Sequence, residues 1–291
     1  MQTFHRNTIA LVYDFDGTLS PQPMQEYTVL PKIGMAADEF WAEVDRQTAA
    51  TQSEAMLVYM RLLLEQIERK SIHVGREDFT AMAQLIEYFP GVTDWFDRID
   101  KFVAAASGDN VNIVHYMISA GLKEILEGVS IHGHFRRIYA SEYHYDHHGV
   151  PVFPKVLITD TTKTQYLFRI NKGMEQQTDS INEHMPEYQR PIPFANMIYL
   201  GDGHTDVPSM TVTRQNGGNA IAVYRDGHDR GLQVCRELLA AKRVNFIAPA
   251  DYRPGSVLEQ RTRLLLQAII SNIAYQGELH ACRQEHGIPE S

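Results

Sequence analysis

Cysteine is nearly absent. The 291 residues contain two, Cys235 and Cys282, too few for a disulfide framework and without the spacing of a zinc site. Such scarcity fits a reducing compartment. Long apolar runs are missing as well: no stretch reaches the length needed to cross a bilayer. The first residues, MQTFHRNTIALVYDFDG, carry one early arginine and an apolar run too short for a secretion signal. The expected location is therefore the cytoplasm, with no membrane partner. Positive charge is also in short supply, with 27 Lys and Arg against 36 Asp and Glu and a net charge of −9. A nucleic-acid backbone is not an expected partner for such a chain. No internal repeat or low-complexity tract is visible. What remains, at 44% hydrophobic and 22% charged residues, is globular in composition and long enough for one large domain or two ordinary ones.

The most informative stretch is IALVYDFDGTLS, residues 9–20. Five apolar residues, Ile9 to Tyr13, read as a short buried parallel strand. It ends in Asp14 and Asp16, which alternation places on the same side of the sheet. Open α/β sheets bind ligands at the C-terminal ends of their strands. Two carboxylates this close repel each other unless a cation lies between them, so the stretch calls for a divalent metal.

Past Ser20 the pattern changes. Pro21, Pro23 and Pro31 read as a linker. From about Met35 to Phe89, apolar residues recur at helical spacing, including Phe40, Trp41, Val44, Met56, Met60, Leu63 and Ile67. Met56, Tyr59 and Met60 are expected to form the core of these helices. Arg46 and Arg61 either face a substrate anion or lie in solvent. Beyond Pro90-Gly91, a helix near Thr93–Ala106 leads to a strand at Val111–Ile118. That strand stops at Ser119-Ala120-Gly121 before a helix from Leu122, a place where a hydroxyl and helix amides can converge on an anion. Phe135–Ala140 reads as a strand and the histidine-bearing Ser141–Pro151 as a turn or hairpin. His132, His134, His144, His147 and His148 fit no trusted metal spacing.

Thr159 to Lys163 precedes a helix that Asn171-Lys172-Gly173 stops, and Glu175–Pro193 reads as a polar surface excursion. A strand at Asn196–Leu200 ends in GDGHTD, which supplies Asp202 and Asp206. Strands at Ala220–Tyr224 and Val244–Ile247 alternate with a helix at Arg230–Lys242, and a helix at about Val257–Tyr275 closes the chain. Strands alternating with helices predict a mostly parallel, doubly wound, Rossmann-like α/β sheet. The helical stretch is inserted into it: residues 1–20 and 90–291 make the core, 21–89 the helical cap. Asp14/Asp16, Ser119, Lys163 and Asp202/Asp206 then meet at one sheet edge. Lys172 is the rival to Lys163, which is preferred because it starts its helix. Two acid pairs suit Mg²⁺, with the lysine and serine facing a phosphate.

Asp14-Phe15-Asp16-Gly17-Thr18, Ser119, Lys163 and Gly201-Asp202-Gly203-His204-Thr205-Asp206, in that order over residues 8–225, resemble the haloacid dehalogenase-like (HAD) superfamily of phosphohydrolases. The resemblance implies roles. Asp14 is the nucleophile that forms an aspartyl-phosphate, and Asp16 the proton shuttle. Ser119 and Lys163 hold the phosphoryl oxygens, with Thr18 and the amides near Gly17 as further candidates. Mg²⁺ is held by Asp14, the Asp16 backbone carbonyl and Asp202, and by Asp206 directly or through water, unless Asp206 instead orients Lys163. An acid at position 16 favours phosphate esters over carbon–halogen bonds. The small helical insert and the Pro90-Gly91-Val92 and Ile118–Gly121 turns are most similar to the phosphoserine phosphatase-like branch. Gly17 and Ala120, however, stand where phosphoserine phosphatases commonly carry Ser and Gly, and their substrate-carboxylate-binding residues have no evident counterpart. The implied activity is hydrolysis of a small phosphorylated metabolite. A phosphotransferase or phosphomutase using the same intermediate, and a non-catalytic phosphate-binding regulator, are the alternatives.

Overall fold

The computed structural model describes residues 5–288; the ends of the expected core segment, 1–4 and 289–291, lie outside the described residues. The chain enters through β1 (Thr8–Tyr13) and then runs through the five helices of the insert. These are α1 (Met24–Tyr27), α2 (Val29–Lys32), α3 (Ala37–Thr51), α4 (Ala55–Arg69) and α5 (Arg76–Met82). Then come α6 (Val92–Ser107), β2 (Asn112–Leu122), α7 (Lys123–Leu126), β3 (Phe135–Tyr145) and β4 (Pro151–Val156). The last third is α8 (Lys163–Lys172), β5 (Met197–Gly201), α9 (Val207–Gln215), β6 (Asn219–Tyr224), α10 (Asp229–Ala240), β7 (Phe246–Pro249) and α11 (Val257–Glu285).

The seven strands lie in the order β4-β3-β2-β1-β5-β6-β7. All neighbours are parallel except the β3–β4 hairpin. This is the doubly wound α/β sheet the sequence predicts. β1 is central because every one of its residues from Ile9 to Tyr13 is fully buried. Ile9, Leu11 and Tyr13 pack on one face of the sheet, with α6, α11 and the inserted helices. Ala10 and Val12 pack on the other, with α8, α9 and α10. A strand apolar on both faces can only be an interior one.

Four local expectations change. The Pro21–Pro31 linker contains two single helical turns, α1 and α2; Pro31 sits in a first turn, where its missing N–H costs nothing. Ladder pairing carries β2 past Ser119 to Leu122, with an irregularity in between, so the helix after it is one turn long. α11 runs ten residues beyond Tyr275, where the sequence turns polar and the apolar period fades. The polar 175–193 excursion is not simply solvated. Glu175 accepts hydrogen bonds from Tyr116 Oη (2.6 Å) and Arg136 Nε (3.3 Å), and Lys172 Nζ holds the carbonyls of Ile181 and Glu183.

The helical insert leaves and returns through one neck. Phe89 N donates to Leu19 O (2.9 Å), while Tyr252 donates from its N to Pro90 O and from its Oη to Thr18 O, both at 2.8 Å. A second attachment joins the insert to the β3–β4 side. Tyr143 Oη donates to Met60 O (2.9 Å), Arg76 pairs with Glu142 (2.7 Å), and Thr80 Oγ1 donates to Glu124 O (2.9 Å).

Candidate active site

The C-terminal ends of β2, β1 and β5 are neighbours; the chain moves outward from β1 through β2, β3 and β4, then crosses back through α8 to β5 on the other side of β1. That is the topological switch point where open α/β sheets form a crevice. A cavity of about 370 Å³ lies there. Its floor includes Asp14, Asp16, Gly17, Ser119, Lys163 and Asp202.

Asp14 follows β1 directly and its N–H donates to Leu200 O (2.9 Å), which fixes the backbone at the strand end. Its side chain is almost fully buried, and Oδ1 accepts from Lys163 Nζ at 2.9 Å. Lys163, the first residue of α8 and 1% exposed, also donates to Asp206 Oδ1 at 2.8 Å. Lys172, the rival lysine, is occupied by the excursion carbonyls and takes no part.

Asp206 is fully buried. Its Oδ1 also accepts from Tyr199 Oη (2.7 Å), and its Oδ2 from the Asp202 N–H (3.2 Å). Asp206 thus locks the lysine, while Asp202 leans into the crevice. Asp202 sits against Gly17, which has φ +77°, and a Cβ there would come within 2.0 Å of Asp202 Oδ2. Asp16 points elsewhere than Asp14: its Oδ1 accepts from the Met24 N–H at 2.8 Å, at the first turn of the insert. Ser119, 1% exposed, accepts from Gly121 N–H at 3.0 Å, so its own hydroxyl proton can face the crevice.

Thr18 stands apart from these residues. Its hydroxyl is buried with no hydrogen-bond partner and it does not line the cavity. Its carbonyl serves the neck instead, so the expected phosphate contact through its side chain is corrected: the tight turn at Gly17 rotates residue 18 into the core. Met56 and Tyr59, expected as core, line the crevice, because a helix covering a cleft has both a core side and a cleft side. Arg46 and Arg61 do not reach it; they pair with Glu43 (2.6 Å) and with Glu65 and Gln47 on the exposed helix surface. None of the histidines between 132 and 148 lines the cavity. His147 and His148 occupy the β3–β4 turn, and His134 stacks on Phe96.

Electrostatics suit this floor to a cation. Oxygens of Asp14, Asp202 and Asp206 come within 4.8 Å of one another, and a single lysine is shared between them. Burial and the charge of Asp206 push the Asp14 carboxyl up, against the pull of Lys163. Burial and both neighbouring acids push Asp202 well above the ordinary range. Carboxylates crowded at one point, with one of them leaning into an open cleft, fit a hard, oxygen-seeking divalent ion. Asp16 is pushed up to about 8, by burial first and then by Asp14, which favours its protonated form.

Sequence reading missed Tyr199, Gln25, Trp41 and Asp160. Tyr199 had a signal: a hydroxyl on the buried face of an interior strand needs a partner. Gly201 marks the same crowding, since a Cβ there would lie 2.3 Å from Asp206 Oδ2. Gly201→Ala should therefore displace Asp206 and destabilise the fold by about 1–3 kcal/mol. The measurement is thermal unfolding with and without Mg²⁺; an unchanged Tm and an unchanged Mg²⁺ response would contradict this account of the floor.

Residues 11–211 match the family model described as haloacid dehalogenase-like hydrolase. The chain belongs to this family. Particular relatives are more distant. An uncharacterized protein of Borreliella burgdorferi is 27% identical over 278 residues, 87% of this chain and 94% of that one. Among solved structures, a phospho-aspartyl intermediate analogue of phosphoserine phosphatase is similar with a TM-score of 0.54 at 12% identity, covering 89% of this chain and 99% of that one. A HAD family hydrolase from Salmonella enterica serovar Typhi reaches 0.54 at 14% identity, over 85% and 68% of the two chains. A probable phosphoserine phosphatase from Vibrio cholerae reaches 0.56 at 11% identity, over 94% and 68%. The chain is a HAD-like hydrolase whose fold it shares with phosphatases. No described helix is long and apolar enough to cross a membrane.

Proposed function

We propose that the protein is a magnesium-dependent phosphatase that hydrolyses a small phosphorylated metabolite through an aspartyl-phosphate on Asp14. One observation carries this reading. The two acids of the first motif are held apart, Asp14 on Lys163 and Asp16 on the Met24 N–H, so that one can attack while the other handles protons. Asp14 forms a bond to phosphorus as the bond to the leaving alcohol breaks, and carboxylates are competent at this. Asp16, in its protonated form, gives its proton to the departing oxygen. It then takes a proton from the water that attacks the aspartyl-phosphate, and phosphate leaves with Asp14 restored. Lys163 and the Ser119 hydroxyl hold the phosphoryl oxygens where charge builds. Asp14, Asp202 and the Asp16 carbonyl, with Asp206 behind them, would hold Mg²⁺, which would supply positive charge to the phosphate. The helices of residues 21–89 act as a cap that keeps water from the intermediate. Unpaired Cys235 and Cys282 support a cytoplasmic setting.

The test is direct. Purified protein with Mg²⁺ should release p-nitrophenol from p-nitrophenyl phosphate, and EDTA should stop it. Turnover indifferent to EDTA would overturn the reading. Capture of the phosphoryl group by an added alcohol in preference to water would make the protein a phosphotransferase.

A further inference from the structure

The wall opposite the catalytic floor carries information that the phosphatase reading does not use. It is made by the insert: Gln25, Trp41, Met56 and Tyr59, with Pro21 and Pro23 at its edge. The Trp41 and Tyr59 rings lie 5.6 Å apart at 34°. Both are fixed from behind. Trp41 Nε1 donates to Glu26 Oε1 (3.0 Å), and Tyr59 Oη accepts from Gln25 Nε2 (2.8 Å). Phe40 packs edge-on against each ring, at 5.2 Å and 6.1 Å. Aromatic rings held this way make a rigid apolar platform with little entropy left to lose on binding. Beside it, Gln25 is 3% exposed and its Oε1 has no hydrogen-bond partner.

Charge points the same way. Four acids line the cavity, Asp14, Asp16, Asp160 and Asp202, and Lys163 is the one lysine or arginine among the lining residues. Lys163 is already committed to Asp14 and Asp206. The cationic side chains on α3 and α4, Arg46 and Arg61, are turned outward. A phosphoryl group can be met by the bound metal and Lys163. A second anion, on the leaving group, would be brought beside Asp160, and no described lysine or arginine other than Lys163 lines the cavity to meet it, an unfavourable like-charge contact.

We propose, on the basis of the phosphatase reading, that this crevice selects phosphate monoesters whose leaving alcohol carries no negative charge. The alcohol lays an apolar or aromatic face on Trp41, Met56 and Tyr59 and donates a hydrogen bond to Gln25 Oε1. Phosphoserine and phosphorylated hydroxy acids are thereby poor substrates, because each brings a carboxylate into a crevice that pairs an apolar wall with Asp160.

A substrate series on one scaffold tests this: benzyl phosphate, its 4-carboxy derivative and its 3-hydroxymethyl derivative, with phosphoserine and phosphoethanolamine alongside. The expected kcat/KM for benzyl phosphate exceeds that of the carboxylate by roughly 100-fold. The hydroxymethyl compound should gain about tenfold over benzyl phosphate by filling the empty acceptor, and phosphoethanolamine should surpass phosphoserine. Gln25→Leu should bring the hydroxymethyl advantage to about one. Asp160→Lys should narrow the gap between benzyl and carboxybenzyl phosphate. Trp41→Ala should raise KM for the benzyl ester, and Trp41→Phe should restore it. The wild-type series decides the matter even if a variant fails to fold. Parity or preference for the carboxylate-bearing esters overturns the crevice assignment and leaves the phosphatase reading standing. No turnover of any ester, p-nitrophenyl phosphate included, removes both.

Discussion

Asp14→Asn is expected to abolish phosphate release, with kcat lower by roughly 10⁴-fold or more, as for other nucleophiles whose loss stops a covalent pathway. The substitution keeps the shape of the side chain and removes only the charge and the nucleophilic oxygen. Thermal unfolding should therefore still show a cooperative transition. The wild-type protein, quenched in acid during turnover of a ³²P-labelled ester, should carry label that hydroxylamine removes, and peptide mapping should place it on Asp14. The variant should carry none. Activity that survives the substitution, or label on another residue, would disprove the assignment. Asp16→Asn should behave differently. Label should still form with an activated aryl ester, whose leaving group needs no proton, while hydrolysis of the intermediate slows.

Lys163→Met should have the second large effect, and on stability as well as rate. The ammonium is 1% exposed and is the shared partner of Asp14 at 2.9 Å and Asp206 at 2.8 Å. Removing one member of a buried charge cluster leaves the others desolvated and unpaired, at a cost of about 3–5 kcal/mol. The pH dependence has a definite sign. Burial and Asp206 already raise the folded-state pKa of Asp14 above its unfolded value, and Lys163 opposes the rise. Without the lysine the rise is larger. A carboxyl whose folded pKa exceeds its unfolded pKa binds more protons in the folded state, so stability falls as pH rises between the two values. Because the wild-type Asp14 carboxyl is already raised to about 7, the deficit of the variant, measured by urea unfolding, should shrink as the pH falls from about 9 to about 7. A constant deficit over that range would mean the lysine acts through packing alone. Mg²⁺ should recover part of the loss at pH 7 by supplying positive charge to the same oxygens.

How far the sequence alone reached depends on the range of the interaction. β1 and its two acids were legible because an apolar run that stops at DFDG encodes both burial and strand end locally. Lys163 could be preferred over Lys172 because position at a helix start is also local. The resemblance offered two tasks for Asp206, metal ligand or orienter of Lys163; that its Oδ1 bonds the lysine depends on how closely α8 approaches β5, which no local pattern encodes. Tyr59 shows the other limit: helical periodicity identifies a side that is covered, and a cleft wall covers a side chain as thoroughly as a core does. Thr18 shows that a residue inside a motif can serve the fold, its carbonyl bonded to Tyr252 and its hydroxyl turned away from the crevice. Glu175 sat in a segment that reads as polar and exposed, and its partners Tyr116 and Arg136 lie 59 and 39 residues away.

The neck formed by Leu19, Phe89 and Tyr252 bears on how such a protein can diversify. An excursion of about seventy residues begins and ends at one backbone hydrogen bond, so its closure is secured by atoms outside it. For a closed loop, doubling the length costs only about 0.6 kcal/mol in chain entropy. Insertions, deletions or wholesale exchange between residues 21 and 89 therefore tax stability mainly through the contacts to the β3–β4 side. The floor and the wall that the insert places over it can vary independently, joined along the chain only at this narrow neck.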